Sequence, residues 1–123
     1  LQDYGQAKQA FDTAVRGYEA IGSGSGDKLP AALRMRGEAK LALGDAPGGI
    51  ADFERAIALF EAQFGSEARQ VAVVLGQYAL AMQNAGALQR AKELHVRSNA
   101  LRERLGDDKL TATGYNNLAE VHR

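Results

Sequence analysis

The stretch PGGIADFERAIALFEAQF, residues 47–64, decides the fold class. Ile50, Phe53, Ile57, Phe60 and Phe64 follow one another in steps of 3, 4, 3 and 4, which puts all five on one stripe of an α-helix. The same stepping runs through Ala7, Phe11, Ala14, Tyr18 and Ile21, and through Leu88, Ala91, Leu94, Leu101 and Leu105 with Ser98 in the gap. Asp45, two residues before Pro47, is suited to cap the quoted helix, and Ser66 before Glu67 and Asp107–Asp108 before Lys109 offer similar starts. Five glycines, Gly22, Gly44, Gly65, Gly86 and Gly106, stand 22, 21, 21 and 20 residues apart. A glycine just past a helix closes its last turn in the left-handed conformation, so even spacing predicts rods of equal length. Six helices are expected, near 3–21, 28–43, 46–64, 67–85, 87–105 and 109–123, and no segment alternates with the period of a strand.

Composition narrows the functional classes. The 123 residues are enough for one domain or a piece of one, with a single core. Fifteen Lys and Arg balance fifteen Asp and Glu, which removes the cationic excess that nucleic acid or an anionic membrane requires. The four Phe and four Tyr fall at packing positions and do not interleave with a basic stripe, a further argument against nucleic acid. With no cysteine, disulfides, thiolate nucleophiles and Cys-bound zinc are excluded. No apolar run approaches the roughly 20 residues of a membrane span, and residues 1–8 do not form a signal peptide. A soluble, cytoplasmic protein is expected.

Equal rods raise the question of internal repetition. A shift of 42 residues carries Ala7, Phe11 and Ala14 onto Gly49, Phe53 and Ala56, and these onto Ala91, His95 and Ser98. It also carries Leu33, Gly37 and Gly44 onto Leu75, Ala79 and Gly86, and with a slightly shorter step onto Tyr115 and Ala119. This pattern resembles the tetratricopeptide repeat, whose helix pair is described by W-x2-L-G-x2-Y followed by A-x3-F. The first half reads Leu33-x2-Arg36-Gly37-x2-Lys40, then Leu75-x2-Tyr78-Ala79-x2-Met82, then Tyr115-x2-Leu118-Ala119-x2-His122. The second half reads Ala7-x3-Phe11, Gly49-x3-Phe53 and Ala91-x3-His95. Thr113, Asn116, Asn117, Leu118 and Ala119 resemble the Asn-Asn-Leu-Ala stretch of the long-repeat variety found in kinesin light chains.

The resemblance implies an all-α fold, a right-handed superhelix of antiparallel helix hairpins. The second helix of one repeat would span 3–21, whole repeats 28–64 and 67–105, and the first helix of another 109–123. Starting and stopping out of phase, the chain is expected to be a fragment of a longer array. Two positions depart from the pattern: Arg36 and Lys40 stand where it has a packed leucine and tyrosine. Either their methylenes lie on the interface with the charges at its edge, or the two cations, one turn apart, form a pocket for an acidic group.

Little in the chain suggests catalysis. His95 and His122 occupy places where the repeat has a packed aromatic, which points to the core or its edge, and the carboxylates stand beside basic residues as on a solvated helix face. No nucleophile has a base and an orienting third group. The run Gly22-Ser23-Gly24-Ser25-Gly26-Asp27-Lys28 follows a helix, not a strand, so it reads as a flexible connector and not as a phosphate loop, and the helix before it is expected to be less firmly fixed than the others. No enzyme activity, metal or cofactor is expected.

The family resemblance implies a binding role instead. Its concave wall is lined by the first helix of each pair and receives a peptide or protein segment. The corresponding residues here are Arg34, Glu38 and Leu41, then Gly76, Leu80, Gln83 and Asn84, then Thr113, Asn116 and Glu120. They offer amides, apolar spots and charges of both signs, without the dense Lys and Asn clamp that holds a terminal carboxylate. The alternative is a self-associating structural module joined through its unpaired terminal helices.

Overall fold

A computed structural model describes residues 3–106, and these fold as five α-helices with no strand among them: α1 Tyr4–Ile21, α2 Lys28–Ala42, α3 Ala46–Phe64, α4 Arg69–Asn84 and α5 Leu88–Leu105. The helix expected at 109–123 lies outside the described residues. The chain divides into two compact units, residues 1–63 and 64–123.

The five evenly spaced glycines all have positive φ, from 70° at Gly106 to 95° at Gly65. Gly106 shows why: it sits left-handed just past α5, and its N–H donates to the Arg102 and Glu103 carbonyls. Start signals are less uniform. Asp45 caps α3 by accepting from the Gly48 N–H at 3.0 Å, and Asp3 caps α1 by accepting from Gln6 N–H. Ser66 caps nothing; α4 begins at Arg69 with Ala68 at its N-cap and no side-chain hydrogen bond there.

In the first unit, Val15 of α1, Leu29, Ala32 and Leu33 of α2 and Ala56 of α3 form the buried centre, with Ala14, Tyr18 and Leu59 packed against it. α2 runs antiparallel to both neighbours. Arg36 meets Asp12 of α1 and Asp52 of α3, while Gly37 and Leu41 lie against Phe53 and Gly49. Gly37 and Gly49 let the α2 and α3 backbones meet: a Cβ on either would come within 3.0 Å of the other's carbonyl oxygen or closer.

The glycine and serine run differs from expectation. Gly22–Ser25 is a turn of 3-10 helix with Ser25 buried, and Gln63 donates its side-chain amide to the Gly26 carbonyl at 2.7 Å. α1 is also tied to its neighbours by buried Val15, by Asp12 on Arg36 and by Glu19 on Arg55 at 2.8 Å, so nothing in its contacts sets it apart as the loose helix.

In the second unit α4 and α5 pack as an antiparallel hairpin. Ala72 of α4 accepts from the Ser98 hydroxyl at 2.9 Å, and at the other end Gln83 meets His95. α4 buries Val71, Ala72, Val74, Leu75, Tyr78, Ala79 and Met82, and α5 buries Ala91, Leu94 and Leu101.

Candidate functional site

Burial recurs at the 42-residue shift, but the chemistry at the buried positions is exchanged. Arg36, Lys40 and Asp52 of the first unit correspond to Tyr78, Met82 and Leu94 of the second, and all three of the latter are buried. Conversely, Phe53, Ala56 and Ile57, all buried, correspond to His95, Ser98 and Asn99, also buried. Phe60 corresponds to Arg102, which is 6% exposed. Each unit therefore carries one polar seam, at different repeat positions.

The first seam is ionic. Asp52 is 5% exposed, and a lone carboxylate there would be prohibitively costly. Arg36 holds it with a two-pronged contact, Nε to Oδ2 at 2.8 Å and Nη2 to Oδ1 at 2.9 Å, and Lys40 Nζ lies 3.1 Å from Oδ2. The remaining prong of Arg36 reaches Asp12 Oδ1 at 3.2 Å, and Lys8 pairs with the other Asp12 oxygen at 3.2 Å. The hydrogen bond to Asp52 raises the Arg36 pKa against the opposing effect of burial, and Asp12 adds to the rise. Burial by itself would raise the Asp12 carboxyl, but Lys8 and Arg36 together outweigh it and hold it below its ordinary value. The two cations that depart from the repeat pattern are thus paired with carboxylates of this chain, their side chains 17% and 16% exposed. Sequence reasoning passed over Asp52. Its signal was position: it stands one residue before Phe53 on a helix face that also carries Gly49 and Ala56, all buried.

The second seam is largely neutral. His95 is 1% exposed, as its aromatic repeat position implies, with Nε2 3.3 Å from Gln83 Oε1. Its pKa is lowered first by burial and then by the charge of Arg102. Arg102 lies over Gly76, where an added Cβ would stand 2.5 Å from a guanidinium nitrogen. Asn99 is 4% exposed, and neither of its amide atoms has a hydrogen-bond partner. Arg90 lies over the Tyr78 ring, 5.8 Å from its centroid.

The candidate groove residues fall in both units. Arg34 and Glu38 pair with each other along α2 at 3.0 Å. Leu41 is buried against Gly49, and Gly76 is buried beneath Arg102, so neither presents surface to an incoming segment. Leu80 is 43% exposed and Asn84 is exposed on α4, while Gln83 is committed to His95. Thr113, Asn116, Glu120 and His122 lie outside the described residues. No group of three or more His, Asp or Glu residues is arranged to hold a metal among the described residues. No described helix is long and apolar enough to cross a membrane.

Compared with known proteins, the chain matches no family model, no curated protein and no solved structure.

Proposed function

We propose that this chain is a tetratricopeptide-like repeat module whose helix pairs stack into a right-handed superhelix and present a concave wall to a peptide or protein segment. The observation that carries this reading is the 42-residue register, in which antiparallel pairing and side-chain burial recur between α2–α3 and α4–α5. A helix pair cannot bury its apolar face alone, so pairs of this kind stack, and a small rotation per pair curves the stack. Exposed Leu80 and Asn84 on α4 and the Arg34–Glu38 pair on α2 support this reading with apolar, amide and charged groups, and Asn116 is the further amide that the repeat assigns to the wall. The work is binding, within a larger regulatory or adaptor protein of the cytoplasm, and not catalysis.

Titration of the chain with a library of displayed unstructured peptides tests this. Saturable binding weakened by Arg34→Glu and by Asn116→Ala is expected; binding indifferent to both changes would remove the groove assignment. Self-association is the competing reading, favoured by the exposure of Leu88 at 50% and Val96 at 56%. Light scattering over a range of concentrations separates the two, since a monomer throughout excludes it.

A further inference from the structure

His95 is a titratable group in a position that the first unit fills with Phe53. Packed like that phenylalanine, at 1% exposure, it differs from it in being able to take up a proton between about pH 5 and 8. What faces it decides the consequence. From α4 its hydrogen-bonding neighbour is the neutral amide of Gln83. α4 contains no acidic residue, and its one charge is Arg69, at the opposite end from Gln83; its one other titratable group is Tyr78. α5 carries Arg90, Lys92, Arg97, Arg102 and Arg104 against only Glu93 and Glu103. Of these, buried Arg102 is the charge that acts on the imidazole, and it opposes protonation. Asn99, one helical turn from His95 on the way to Arg102, offers a dipole and no charge. A proton on His95 therefore enters a buried site whose hydrogen-bonding neighbour is a neutral amide and where the Arg102 charge opposes it.

We propose that His95 makes the α4–α5 hairpin acid-labile, so that protonating its buried imidazole loosens α5 from α4 while α1, α2 and α3 remain closed. The neutral ring fits the seam and the charged ring does not, which couples opening to proton uptake. A histidine whose folded pKa is lowered adds stability that is fully present above its unfolded value of 6.5 and is lost as pH falls below that value towards the folded one. Residues 1–63 contain no histidine and act as the internal reference.

Native-state hydrogen exchange of the whole chain between about pH 7.5 and about pH 5.0 reads the effect, after correction for intrinsic exchange rates. Below the unfolded histidine pKa, the opening constant of α4 and α5 amides should rise by up to about tenfold per pH unit, with no parallel change in α1–α3. His95→Phe should flatten that dependence, and His122→Gln should leave it in place. An NMR titration of the unmodified protein gives a second reading that does not depend on any variant folding: the His95 ring should titrate below 6.5. A His95 that titrates at or above that value, or an acid response that survives His95→Phe, overturns the proposal.

Discussion

At Gly49 a missing Cβ sets the distance between two helices. An added methyl would meet Leu41 Cγ at 2.6 Å and the Gly37 carbonyl at 2.9 Å, and the carbonyl belongs to a helix backbone that cannot step aside. Gly49→Ala should cost about 1–3 kcal/mol by overpacking, even though alanine is the better helix former. Gly76 looks similar on paper, but its obstruction at 2.5 Å is the end of the Arg102 side chain, so Gly76→Ala should cost less. Urea denaturation of the two variants checks the order, and equal losses would mean that both sites are limited by side chains. Neither contrast is legible in the sequence, where both residues read only as small ones in mid-helix. Asp52 was harder still, because a carboxylate among helix-face charges looks solvated until its depth and its partners Arg36 and Lys40 are known.

Among the elements, helix ends followed from residue chemistry and helix surroundings did not. The glycine ladder located every described C-terminus because a left-handed stop is a local requirement. Asp45 was readable as a cap for the same reason, and Asp45→Ala should lower stability by about 1 kcal/mol in thermal or urea unfolding, through loss of its bond to the Gly48 amide. Ser66 had the right chemistry and the wrong place, since two further residues, Glu67 and Ala68, precede the start of α4 at Arg69. α2 illustrates the other limit. Packed against both α1 and α3, it buries Leu29, Ala32, Leu33, Ala39 and Leu41 on several sides, so it shows no single apolar stripe from which its neighbours could be read. The run after α1 misled through composition: glycine and serine suggest a flexible linker, yet four of these residues close a 3-10 turn.

For the whole molecule, zero net charge concealed an uneven distribution. The first unit sets its cations against buried or half-buried carboxylates, while α4 and α5 carry a cationic excess around a neutral histidine. The two units should therefore answer acid at different pH. The second loosens below 6.5 through His95, whose folded pKa is lowered. In the first, Asp12 also has a lowered folded pKa, so its contribution is present above 3.8 and is lost as pH falls through and below that value. Circular dichroism across the acid range, compared with Lys8→Met, checks the second transition, which the variant should shift upward by removing one of the cations that hold Asp12 ionised.

The 42-residue register makes α2–α3 and α4–α5 equivalent hairpins with their polar seams at different positions. The ionic seam can then be replaced by its counterpart. Asp52→Leu alone removes the carboxylate shared by Arg36 and Lys40, leaving Arg36 with Asp12 only, and should be strongly destabilising, by about 3–5 kcal/mol if the seam behaves as a buried ion pair. The triple variant Arg36→Tyr, Lys40→Met and Asp52→Leu installs the residues found at the matching positions of the second unit, and a packed apolar seam in place of buried charges is often neutral or stabilising. The decisive measurement is the urea unfolding free energy of these two variants beside the parent chain. Recovery of parental stability or better in the triple variant is the expected result; a triple variant no more stable than Asp52→Leu would contradict the equivalence of the two hairpins.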